Sequence, residues 1–153
     1  MSATVQLTLT VDQAAAVSQA CELLTRLGIG QIEYLAEQVR SDAVRPYTTE
    51  KEPQRGWSDH EMCERVDALC YAIKRELGLA ANASRGIGHA HNPMPVRRAY
   101  EVQKVIDKAL AEHRNPNPDF RSVQYDGLGP RYTQDPAPQA VVVPAPSSLV
   151  GGE

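Results

Sequence analysis

Residues 58–78, Ser58-Asp59-His60-Glu61-Met62-Cys63-Glu64-Arg65-Val66-Asp67-Ala68-Leu69-Cys70-Tyr71-Ala72-Ile73-Lys74-Arg75-Glu76-Leu77-Gly78, spell out a whole helix, start and stop included. Ser58 and Glu61 have capping-box spacing, and Trp57 and Met62 are placed for a hydrophobic staple. Met62, Val66, Leu69, Cys70, Ile73 and Leu77 recur at helical spacing and predict an apolar stripe turned to the core, with Gly78 as the stop. On that reading Leu69 is a core residue, and Leu69→Ala costs ~2 to 5 kcal/mol through the cavity it leaves.

Toward the N-terminus, the polar stretch 41–56, with Pro46 and Pro53, reads as a loop. Before it, Ile32, Leu35, Ala36 and Val39 predict a short helix from about Gln31 to Arg40. A longer helix begins at the capping box Thr10-Val11-Asp12-Gln13, carries Ala14, Val17, Cys21 and Leu24 on one face, and stops at Gly28. Ahead of it, Thr4-Val5-Gln6-Leu7-Thr8-Leu9-Thr10 alternates apolar and polar residues, the pattern of a half-buried strand.

Toward the C-terminus, residues 80–96 hold Gly86, Gly88, Pro93 and Pro95 and read as a loop. Pro95 suits a first helical position, and Val102, Val105, Ile106, Ala109 and Leu110 continue an amphipathic helix to about His113. Asn115-Pro116-Asn117-Pro118 ends it. Short strands are expected at 120–125, 131–133 and 141–143. The expected fold is therefore α+β: one domain over 1–143, four main helices packed with a small sheet from the N-terminal strand and the short C-terminal strands, then a mobile tail at 144–153.

Composition supports a globular chain. Of 153 residues, 42% are hydrophobic and 23% charged, which excludes wholesale disorder, while 11 prolines and 10 glycines imply long irregular segments. No apolar run approaches the ~20 residues of a membrane span, and the opening lacks the basic and apolar regions of a signal peptide, so a cytoplasmic protein is expected. Cys21, Cys63 and Cys70, an odd number in helices, fit reduced thiols rather than a disulfide framework.

The net charge of −3 conceals a split: residues 83–133 hold 8 basic and 5 acidic side chains, residues 1–82 hold 8 and 12. That excess is too small for duplex nucleic acid, which needs many simultaneous phosphate contacts, but suits a compact anion site. Two clusters carry the candidate ligand chemistry. The first is the Gly-rich loop with Arg85 and His89, leading into Arg97 and Arg98. Cations at a helix start oppose the macrodipole unless an anion answers them, or a carboxylate such as Asp67 or Glu101 does. The second is Arg114, Asn115, Asn117, Arg121, Tyr125, Asp126, Arg131 and Tyr132. Arginine forks hold phosphate, tyrosine and guanidinium planes stack on bases, and Asn and Asp bond ribose and base edges. The same residues also make ordinary turns and protein interfaces.

His60 with Cys63 and His89 with His91 would need to converge to hold zinc, so no metal and no cofactor is expected. No local nucleophile–base arrangement marks an enzyme.

The strings Arg98-Ala99-Tyr100-Glu101-Val102, Lys108-Ala109-Leu110-Ala111, Asn115-Pro116-Asn117-Pro118, Tyr125-Asp126-Gly127 and Arg131-Tyr132-Thr133 resemble a family of small accessory proteins encoded by tailed bacteriophages. The resemblance covers most of residues 4–133 and carries no active-site assignment. It implies a nonstructural accessory protein in the cytoplasm of a bacterial host; with the two clusters above, the expected function is non-enzymatic counter-defence by sequestering a small anionic, nucleotide-derived immune signal. The alternative it leaves open is an interaction module that inhibits a host protein or assists phage development; either could act as a homo-oligomer.

Overall fold

The computed structural model describes residues 3–44 and 60–144. They form helices α1 (Val11–Gly28), α2 (Tyr34–Arg40), α3 (His60–Glu76) and α4 (Met94–Arg114), and one 3-10 turn at Val123–Tyr125. Among the described residues there is no strand, so the expected α+β fold is corrected to an all-helical one. The expected cap at Ser58, the staple at Trp57, most of the 41–56 loop and nearly all of the tail lie outside the described residues.

The helix ends follow from local chemistry. Gln13 donates its N–H to Thr10 Oγ1 at 3.1 Å and Thr10 donates its own to Gln13 Oε1 at 2.9 Å, so two of the free N–H groups at the start of α1 are satisfied reciprocally. α1 closes beyond Gly28: Gln31 N–H reaches back to Arg26 O at 2.9 Å, around Gly30 at φ +93°. Gly78, at φ +71°, closes α3 in the same way, with Leu79 N–H bonded to Lys74 O at 2.9 Å. Both turns need a left-handed backbone, which glycine adopts without a Cβ penalty.

The sheet fails for two separate reasons. Residues 3–10 have no regular structure and are exposed, with Val5 86%, Leu7 72% and Leu9 40% accessible, and no strand among the described residues lies alongside them. Strand alternation records a capacity to be half-buried; it does not supply the neighbour. In the C-terminal stretch, Pro130, Pro136 and Pro138 lack ladder donors, and the N–H groups of Tyr132 and Thr133 go to the Glu101 carboxylate instead of to a strand's carbonyls.

The chain forms two compact units, residues 22–100 and residues 1–21 with 101–153. In the central unit Ile32, Ala36 and Cys70 are the buried centre, with Leu27, Leu35 and Val66 packed on it. Arg40 of α2 pairs with Asp67 of α3 across the same contact. Lys74, one turn beyond Cys70, has a fully buried side chain and donates to Glu33 Oε2 at 2.9 Å. At the end of α1, Arg26 bonds Glu22 and Gln31 and lies 5.5 Å from the centroid of the Tyr34 ring.

Also in this unit, the backbone at Gly28 lies against Val96, which is 4% exposed. A Cβ at Gly28 would run into both Val96 methyls, and a β-branched side chain in a helix cannot rotate away. Gly28→Ala is expected to destabilise the protein by about 1–3 kcal/mol despite the better helix propensity of alanine, read as a lower denaturation midpoint. Gly28→Ala combined with Val96→Ala recovers the part due to the clash.

The α3 stripe is corrected too. Cys70 is buried and Val66 half-buried, but Leu69 is 64%, Ile73 45% and Leu77 57% exposed. Leu69 is therefore not a core residue, and its truncation opens no cavity of the kind that would cost several kcal/mol. In the terminal unit, Ser18 donates to Asp107, Gln103 Nε2 donates to the other Asp107 oxygen at 3.2 Å, and Leu110 and Ala111 are buried.

Candidate functional site

The first cluster lies within the central unit, and side chains bonded to backbone shape it. Asn92, 4% exposed, donates through Nδ2 to Gly86 O and Ile87 O, both at 2.8 Å. Arg97 donates through Nη2 to His89 O at 2.9 Å and Ala90 O at 3.1 Å. The loop carbonyls are thus gathered onto the start of α4 before any ligand arrives. Asn92 and Arg97 are braces of the loop, both donating to its carbonyls, while the N–H groups of Val96 and Arg97 at the start of α4 go to Pro93 O at 3.1 and 3.3 Å. Sequence reasoning missed Asn92; its position directly before Pro93 and a helix start was the available signal.

Arg85 is half-buried, its N–H donates to Ile29 O at 2.7 Å, and its guanidinium has no hydrogen-bond partner among the described residues. His89 is exposed, with Nδ1 accepting the N–H of His91 at 3.3 Å. The two imidazole centroids are 5.3 Å apart. Arg98 is exposed on the first turn of α4, which holds no acidic residue. Between Glu76 and Glu101 the chain has no carboxylate side chain at all, while it has Arg85, Arg97 and Arg98 with His89 and His91. The Oδ1 of Asn92 is buried and has no hydrogen-bond partner among the described residues.

The second cluster is mostly internal carpentry of the terminal unit. Arg131 is ion-paired through Nη2 with Glu101 Oε2 at 3.1 Å, and the same nitrogen donates to Thr133 Oγ1 and Asp135 O. Glu101, 2% exposed, also accepts the N–H groups of Tyr132 at 2.8 Å and Thr133 at 2.9 Å and the Thr133 hydroxyl at 2.9 Å. Burial alone would raise the Glu101 pKa; the Tyr132 and Thr133 donors and the Arg131 guanidinium outweigh it and hold the carboxyl below its ordinary value. Tyr125 donates its hydroxyl to Asn115 O at 3.0 Å, and Asn115 Oδ1 accepts the N–H of Asn117 at 3.3 Å, an Asx turn after α4. Asp126 closes the 3-10 turn with its N–H on Val123 O. Arg114 and Arg121 are exposed.

A shallow groove of about 330 Å³ in this unit runs along Val105, Lys108, Ala109 and Glu112 of α4, opposite Leu128 and Val141; none of the candidate residues lines it. No group of three or more His, Cys, Asp or Glu among the described residues could hold a metal ion. Burial pushes the Cys21 and Cys70 thiols up, with the Asp107 charge adding to it at Cys21, which disfavours the thiolate form a nucleophile needs. No helix among the described residues is long and apolar enough to cross a membrane. Comparison of the chain with protein-family models, curated proteins and solved structures found no match.

Proposed function

We propose that the protein is a non-catalytic binding protein that holds a small anionic, nucleotide-derived ligand at the loop 85–92 and the start of α4. The observation that carries this reading is the run from Leu77 to Tyr100, which holds three arginines and two histidines, no carboxylate, and the start of a 21-residue helix. The partial positive charge of the helix start favours an anion there, and the loop is braced by Asn92 and Arg97 rather than left to be ordered by the ligand. The resemblance to phage accessory proteins supports the setting: a signal withheld from a host receptor by stoichiometric binding.

Purified protein incubated with cyclic nucleotides and cyclic ADP-ribose isomers, then denatured, is expected to return the bound compound unaltered. Arg85→Ala is expected to lose binding with its thermal midpoint unchanged, because that guanidinium supports no internal hydrogen bond. Retained binding in Arg85→Ala, or recovery of altered products, overturns the reading.

A second reading, an interaction module acting on a host protein, is favoured by one observation: Phe120 is 83% and Val123 69% exposed beside the exposed Arg121. An aromatic anchor beside arginine is the composition of an interface hot spot. Affinity purification from infected cells separates the two, since only this reading retains a stoichiometric protein, lost in Phe120→Asp.

A further inference from the structure

We infer that α3 pairs with α3 of a second copy of this chain, antiparallel, with Arg65 of each copy opposite Glu76 of the other. The outer face of α3 carries Arg65, Leu69, Ala72, Ile73 and Glu76 at i, i+4, i+7, i+8 and i+11, which share one side of a helix. Leu69 and Ile73 are 64% and 45% exposed, and Leu77 continues the strip at 57%. A row of large aliphatic side chains in water on one helix is the half-interface of a helix pair.

The charges select the occupant. Arg65 and Glu76 stand symmetrically about the midpoint of the apolar centre, five and a half residues to either side of the point between Cys70 and Tyr71. In an antiparallel pair turned about a two-fold axis through that point, Arg65 meets Glu76 at both ends and Leu69 meets Ala72 in the middle, large against small. A parallel pair would set Arg65 on Arg65 and Glu76 on Glu76. Both groups are available: Glu76 has no ion pair among the described residues, and Arg65 has only Glu61 at 3.6 Å, an exposed contact in which the side chains are 65% and 84% accessible. The inner face of the same helix is already committed, through Cys70, Lys74 and the Asp67–Arg40 pair. An isologous contact of this kind uses one patch twice and closes as a dimer. α3 is about 25 Å long, so the contact is small and a micromolar dimer is expected. The pairing lies apart from the residues of the anion site and does not depend on it.

Sedimentation equilibrium of the full chain is expected to show reversible conversion from the 16.8 kDa monomer to twice that mass as concentration rises. Arg65→Glu and Glu76→Arg each place like charges opposite one another at both ends and are expected to weaken dimerisation by about tenfold or more. Equal mixing of these two variants restores the dimer, because each supplies the charge the other lacks; the double reversal restores it in one chain. A merely structural role for either residue would not produce recovery on mixing. A monomer at every concentration overturns the inference, whatever else then covers the face. So does a dimer indifferent to both single reversals, or one not rescued by mixing.

Discussion

Glu101→Gln is expected to lower the unfolding free energy by about 3 kcal/mol, at the lower end of what breaking a buried ion pair costs because Arg131 is still partly open to water. For a chain of this size that is a fall in thermal midpoint of roughly 6–12 °C. The substitution keeps the shape of the side chain but removes the charge that the Tyr132 and Thr133 N–H groups, the Thr133 hydroxyl and Arg131 converge on, and turns an NH₂ toward donors. Hydrogen exchange reads the effect locally: the Tyr132 and Thr133 amides, bonded to Glu101 in the native protein, are expected to lose protection more than any amide of α4. The pH dependence follows from the lowered pKa. The unfolded chain then binds the proton more readily than the folded one, so the contribution of this carboxylate is whole above the ordinary glutamate pKa of ~4.3 and is lost as pH falls through the lower folded value. The gap between native and Glu101→Gln midpoints should be constant from pH 7 to about 5 and close below about 4. A gap unchanged in acid would mean the carboxylate charge contributes nothing.

Lys74 and Glu33 should respond asymmetrically. The Lys74 side chain is 0% and the Glu33 side chain 41% exposed, so the two ends of one ion pair have different alternatives when the partner is removed. Glu33→Ala leaves an ammonium in the interior of the central unit with its counter-ion gone, an expected loss of about 3 kcal/mol. Lys74→Met leaves a glutamate that water can hydrate and fills the same volume with an unbranched apolar chain; it is expected to lie within about 1 kcal/mol of the native protein, on either side. Urea denaturation of the two variants decides it. Equal losses would show that the pair is valued for its mutual attraction rather than for shielding one buried charge.

The helices were legible because their signals are local. Thr10 with Gln13, Gly78 after a stripe, and the run from Val102 to Leu110 each act within a few residues, and the structure places α1, α3 and α4 close to where those signals point. What covers a helix face is not local. The α3 periodicity showed which residues are apolar and said nothing of Leu69 being open to water. The strand at Thr4–Thr10 failed for the same reason, since a half-buried pattern needs a neighbour that the sequence does not name. Half of the proposed site failed through a contact across 30 residues: Arg131 looked like a free phosphate fork until Glu101 was found on it. A signal existed, in a single carboxylate set between the apolar positions Ala99 and Val102 of α4, where an unpaired charge would be costly. The first cluster stays a proposal: its signal, an uninterrupted run without acids before a helix start, is continuous in sequence, and the structure adds only the bonds that brace the loop.

The bare segment ahead of α1 has a consequence for the protein as a material. From residue 3 to Thr10 it presents irregular backbone and alternating Val5, Leu7 and Leu9 to water, and it carries no charged side chain before Asp12. Short β-prone windows without charge or proline are what stack into cross-β ribbons, and natural edges are guarded by lysine, proline or a bulge that this one lacks. Its gatekeeper, Asp12, stands beyond the stretch and already within α1. One lysine in place of Leu7 is therefore expected to reduce irreversible aggregation at high concentration, an effect separate from reversible pairing through the α3 face.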